Sequence, residues 1–210
     1  MRKILHFIET VLPITFWVLI MFGFDSISVT VMTLLAAIIH ECGHLAVISH
    51  LCGHSSAAPA PRLDGMRITP SRILSYKEEI FAAFGGPLAN AILFLILIPF
   101  FDKADGYAVT FATINLMTAL SNLLPVSGFD GYKIALNALA LKFGSEGAER
   151  FLSAFSFLFC TVILFLSLYL ILKIGEGYWI FGIFFIATLG EVFKRSKPTK
   201  TKNVRDFGRV

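Results

Sequence analysis

An all-α integral membrane protein is what this sequence predicts, with six transmembrane helices and a short β-hairpin or extended loop between the second and third. Three observations predict it. Hydrophobic residues make up 56% of the 210 and charged residues 15%, with a mean hydropathy of +0.77, whereas a soluble domain carries about a quarter charged residues. The apolar residues gather into runs of about 20, the length that crosses a hydrocarbon core. The basic residues lie almost all on one side of the layout those runs imply. Three cysteines, Cys42, Cys52 and Cys160, are too few for a disulfide framework and read as small apolar side chains.

The first apolar run covers 4–24. It exceeds the core of a signal peptide and no small-residue cleavage site follows, so it is expected to remain as a span. Glu9 lies close enough to its end to reach the interface. The second run, 29–51, carries no charge except Glu41. The loop over 52–80 holds a Pro- and Ala-rich stretch, 57–61, then two weakly alternating stretches, 65–70 and 72–76, that read as short strands around Pro70. Spans over 81–101, 106–124, 151–174 and 178–193 complete six. The expected domain organisation is one membrane-embedded unit over 1–210, ending in a basic tail over 194–210.

Orientation follows from charge. With six spans, the N-terminus, the loops 52–80 and 125–150 and the tail share one side, which holds 16 of the 18 Lys and Arg; Lys103 and Lys173 stand on the other. That asymmetry predicts both termini in the cytoplasm. The net charge of +4 is then topogenic, and the tail reads as a contact for anionic lipid rather than nucleic acid. The expected setting is a bacterial plasma membrane, crossed many times. With no recognisable sensing or nucleotide-binding domain, regulation is expected to come from other proteins or from a first cut that trims the substrate.

The chemistry concentrates in the second run, at His40-Glu41-Cys42-Gly43-His44. Two histidines four apart are about 40° apart round a helix and about 6 Å apart along it, so both rings face one side. A divalent metal needs that from its first two ligands. Glu41, about 100° round from His40, can reach a water on the same ion without ligating it. Two imidazoles that fix zinc and a carboxylate that takes a proton make the zinc-hydrolase pattern. An ionisable group at membrane depth is costly, which itself marks a functional site. His50 and His54 repeat the spacing but straddle Gly53 past the helix end, where a solvated turn is expected.

A third ligand must come from a segment whose cytoplasmic end adjoins the second span. The fourth span runs inward and ends in Asn122-Leu123-Leu124-Pro125-Val126-Ser127-Gly128-Phe129-Asp130-Gly131. Pro125 stops the helix, and two glycines free the backbone around one carboxylate. Asp130 fits that role. Glu78, Glu79, Glu146, Glu149 and Glu191 lie in loops or at helix ends with basic neighbours. Asn90, on an apolar helix one turn past Pro87, needs hydrogen-bond partners, which an extended substrate or a neighbouring helix can supply. Gly85 and Gly86 read as sites of close helix approach.

Together these residues resemble the site-2 protease family of intramembrane zinc metalloproteases. His40-Glu41-Cys42-Gly43-His44 is similar to the family's metal helix, and Gly85-Gly86-Pro87-Leu88-Ala89-Asn90 to its Gly-Pro-x-x-Asn segment. Asn115-Leu116, with Asn122-Leu123-Leu124-Pro125 and Asp130-Gly131, resembles the motif that supplies the third ligand. The match anchors 29–133, and the layout is similar to the compact branch that includes the sporulation pro-sigma-factor protease. Tyr132 replaces a usual second glycine, Val126-Ser127-Gly128 a Pro-rich bend and Cys42 a common leucine; no ligand is removed. The resemblance implies zinc held by His40, His44 and Asp130, with Glu41 as the catalytic base. It also implies a substrate cleft lined by Asn90, Asn122 and Pro125, a membrane-associated hairpin or loop over 57–76, and a membrane-protein substrate cut within or beside its transmembrane segment. Three alternatives stand beside it: a membrane metalloprotease of another lineage with a Glu third ligand, a metal transporter, and a non-catalytic chaperone-like relative.

Overall fold

The computed structural model describes residues 26–53, 60–62, 65–67, 72–101, 106–175, 181–182, 184–185, 187–190 and 192. They are helical except for one short antiparallel ladder and the turns. In chain order these are α1 (Ile27–Cys52), β1 (Ala60–Arg62), β2 (Gly65–Arg67), α2 (Tyr76–Leu97) with a 3-10 turn (Ile98–Phe100), α3 (Tyr107–Asn122), α4 (Asp130–Phe143) and α5 (Ser145–Ile174).

Hydropathy locates the helices, but capping chemistry sets their ends. The Ser26 hydroxyl accepts from the Val29 amide at the start of α1, and Gly53, at a φ of 73°, follows its last residue. At α2 the Ser75 hydroxyl accepts from the Glu78 amide while the Glu78 carboxylate accepts from the Ser75 amide, a reciprocal capping box. That box starts α2 at Tyr76, five residues before the apolar run, and recruits Lys77, Glu78 and Glu79 into its first turn. Arg72 ties this start to the end of α1, donating to the Leu51 carbonyl at 3.1 Å and to both carboxylate oxygens of Glu78.

The described residues cover only part of the expected six-span layout. Among the described residues, three helices are long and apolar enough to cross a membrane: Ile27–Cys52, Tyr76–Phe100 and Ser145–Ile174. The expected fourth span is helix α3, which at 16 residues is about 24 Å long and falls short of a core about 30 Å thick. The expected first span lies outside the described residues, as does much of the sixth. The ladder β1–β2 pairs Ala60 with Arg67, Pro61 with Met66 and Arg62 with Gly65, so strand pairing falls over 60–67; residues 72–75 form no strand, and Pro70 lies outside the described residues. Asp64-Gly65 is the reversal signal within 60–67. Helix α4 occupies what reads in the sequence as a loop.

The chain divides into two compact units, Met1–Leu152 and Ser153–Val210. In the first, α2 is central and packs against α1, α3 and α4, while α1 also meets α3. Many of its buried apolar residues are small (Ala36, Ala82, Ala83, Ala112 and Ala119, beside Ile48, Val126 and Tyr132), while large side chains such as Ile38, Leu88 and Leu95 are more than half exposed. Small residues inside and large ones outside is the packing of helices whose surroundings are as apolar as their cores. Helices α1 and α2 approach closely at Gly43 and Gly85, where a Cβ on Gly43 would fall 2.2 Å from the Gly85 carbonyl oxygen. In the second unit, Ser156, Cys160 and Ser167 are buried along α5, and the rings of Phe159 and Phe184 stand 6.4 Å apart.

Candidate metal centre

Helix α1 buries one stripe, Thr30, Ala36, His40, His44 and Ile48, so both imidazoles point into the first unit. The chain that follows α3 turns through Leu123–Phe129 and delivers Asp130 as the first residue of α4. Gly131 permits this, because a Cβ there would lie 2.1 Å from the Leu123 carbonyl oxygen. Asp130, His40 and His44 are 4, 6 and 8% exposed. Asp130 Oδ2 stands 2.9 Å from Nε2 of His40 and 2.9 Å from Nε2 of His44, and the two nitrogens are 3.2 Å apart.

Hydrogen-bond partners fix what each of these atoms carries. Nδ1 of His44 lies 2.7 Å from the Ala82 carbonyl oxygen, which can only accept, so that nitrogen bears the proton. The Gly86 amide is also near it, at 3.3 Å, but the shorter contact decides. The proton on His40 is fixed through two asparagines. Asn115 Nδ2 donates to the Phe111 carbonyl, which leaves its Oδ1 to accept from Asn90 Nδ2 at 2.8 Å. Asn90 Nδ2 also donates to the Ala36 carbonyl at 3.0 Å. Asn90 Oδ1 therefore faces Nδ1 of His40, at 2.8 Å, and that nitrogen too is an N–H donor. Both imidazoles thus present a bare Nε2 to the carboxylate. Three acceptors meeting without a donor repel one another unless a cation lies among them.

A zinc ion fits that set. Ligands about 2.05 Å from it in a tetrahedron stand about 3.3 Å from one another, and the three separations here are 2.9, 2.9 and 3.2 Å. Two nitrogens and a carboxylate oxygen are also ligand types that zinc takes, each imidazole held by a partner on its other nitrogen. Among the described residues, His40, His44 and Asp130 form the one group of three such side chains able to share an ion.

The other expected site residues stand as follows. Glu41, part-exposed, follows His40 on α1. Asn90 is fully buried with its oxygen and both amide hydrogens engaged by protein groups, so it orients His40. Asn122 donates to the Thr118 carbonyl of its own helix, and Pro125 stands in the turn that precedes Asp130. Glu79 and Glu146 are exposed, and Glu146 faces Arg150 at 3.6 Å. His50 is exposed and His54 lies outside the described residues. Two groups went unread in the sequence. Lys133 Nζ lies 2.8 Å from Asp130 Oδ1, one helical turn on, a spacing that could have revealed it. The Ala82 carbonyl is backbone, and no residue type announces it.

No family model matches the sequence, and no curated protein matches it. Among solved structures, a site-2 protease from Methanocaldococcus jannaschii superposes with a TM-score of 0.65 over 94% of this chain and 92% of its own, at 18% sequence identity. The likeness is one of fold, and it agrees with the fold that the three sequence motifs imply.

Proposed function

We propose, from a fold shared with a site-2 protease and three ligand groups that meet at one point, that this chain is an intramembrane zinc metalloprotease. It hydrolyses a peptide bond within or next to the transmembrane segment of a membrane-protein substrate. The observation that carries this reading is the Asp130 carboxylate oxygen, 2.9 Å from both imidazole nitrogens although it arrives on a separate helix.

His40, His44 and Asp130 hold the ion, with Asn90 and the Ala82 carbonyl orienting the two rings. Zinc, when bound, supplies a Lewis acid that acidifies water to a pKa of about 7 and polarises a carbonyl. Glu41 takes the proton of the attacking water and passes it to the leaving amine nitrogen. Lys133 donates to Oδ1 of Asp130 at 2.8 Å, which would leave Oδ2 for an ion. A helical substrate offers no free carbonyl, since each is bonded within the helix, so the scissile segment is extended. Pairing along 57–76 would hold it so, with Asn122 and Pro125 lining the cleft. Both termini lie in the cytoplasm with the site near that face, as the Lys and Arg distribution supports.

Incubating the purified protein in detergent with a candidate single-span substrate tests this. Glu41→Gln is expected to abolish cleavage while zinc still copurifies, and a chelator to abolish it in the wild type. Retained cleavage in Glu41→Gln removes that residue as the base.

A further inference from the structure

Gly85 and Gly86 are neighbours in the interior of α2, where glycine is disfavoured unless something requires it. The structure gives them different reasons. A Cβ on Gly85 would meet the Gly43 carbonyl oxygen at 2.6 Å and Val47 Cγ2 at 3.0 Å, so Gly85 admits the neighbouring helix. A Cβ on Gly86 would instead meet the tips of the two imidazoles: Nε2 of His44 at 2.5 Å, Nε2 of His40 at 2.6 Å and Cε1 of His40 at 2.7 Å.

Position along the helix explains this. Ala82, Gly86 and Asn90 are four apart and share one face of α2. Ala82 anchors Nδ1 of His44 and Asn90 anchors Nδ1 of His40, so the rings reach toward each other across the residue between. The Nε2 atoms are 3.2 Å apart. An ion about 2.05 Å from both must lie on a small circle around the line that joins them, and every point of it is within about 3.3 Å of that Cβ. A methyl carbon there would crowd the ion and could not coexist with the two ring tips where they now stand.

Resting on the zinc-centre reading above, we infer that Gly86 is a positioning residue of the metal site: its missing side chain leaves the room in which the two ring tips converge on the ion. Helix α2 thereby holds both rings and walls the ion without ligating it. A Cβ there displaces the rings, which are flexible side-chain ends, so the chain can still fold while the three ligand atoms no longer converge.

The test is zinc content by mass spectrometry on monodisperse protein in detergent, with Gly86→Ala beside wild type. Wild type should carry about one ion per chain and Gly86→Ala at least tenfold less. Wild-type zinc content in Gly86→Ala overturns the inference and leaves the metal centre standing; a wild type that binds no zinc overturns the centre itself. Where Gly86→Ala proves hard to isolate, thermal unfolding of the apo proteins decides. In a His40→Ala/His44→Ala background, adding Gly86→Ala should leave the melting temperature unchanged or higher, because only the rings stood in the way. A lower one would show that Gly86 serves backbone packing and would overturn the inference.

Discussion

Asn90→Ala separates two roles for the same side chain. Read from the sequence, Asn90 lines a substrate cleft; in the fold it is fully buried and bonded to His40, Ala36 and Asn115. Removing it leaves the Nδ1–H of His40 and Oδ1 of Asn115 without their partner, and frees His40 to turn. Loss of the group that orients a metal-bound histidine lowers metal affinity about 10- to 100-fold, which is about 1.4–2.7 kcal/mol. Each of the two buried polar groups stranded costs about 1–3 kcal/mol, so folding stability should fall by about 2–6 kcal/mol. Zinc affinity is read by competition against a chelator of known strength, and stability by thermal unfolding in the same detergent. Asn90→Asp is the control, since a carboxylate still accepts from Nδ1 and should retain most of the affinity. Zinc affinity within about threefold of wild type in Asn90→Ala, with KM raised, would refute the orienting role and restore the substrate-contact one.

Two further outcomes follow from the same geometry. Asp130→Ala should abolish stoichiometric zinc while leaving the apo melting temperature at or above that of wild type, because it removes one of three crowded acceptors and strands only Lys133, whose side chain is 61% exposed. A marked drop in apo stability would mean that a proton on an imidazole, and not a metal, holds the cluster together. Gly43→Val should lower the melting temperature by roughly 6–12 °C, for a cost of about 3 kcal/mol, since even its Cβ would fall 2.2 Å from the Gly85 carbonyl oxygen and 2.7 Å from Ala89 Cβ. An unchanged melting temperature would refute that packing.

What is legible in the chain is whatever a residue type and a spacing encode together. His40 and His44 four apart, and Asp130 between a helix-stopping proline and a glycine, come together as that pattern implies. Helix ends are less legible, because α2 starts where Ser75 and Glu78 cap each other and not where hydropathy rises. Helix α4 is hidden for a related reason: its alanines and leucines are interrupted by Lys133, Asn137 and Lys142, too polar a run to read as a span. The strand pairing is described over 60–67, earlier in the loop than the alternation at 65–70 and 72–76 suggests. Gly86 reads as a second Gly85, since two adjacent glycines look alike until the atoms facing each are known. The anchor of His44 belongs to the main chain and is written in no side chain at all.

That last contact makes the two imidazoles unequal before mutation. The ring of His40 answers to an amide that one codon can alter, whereas the ring of His44 answers to a peptide carbonyl that survives any replacement which keeps the helix. Sequence drift can therefore loosen the first histidine gradually, through Asn90 or Asn115, but can release the second only by bending α2 itself.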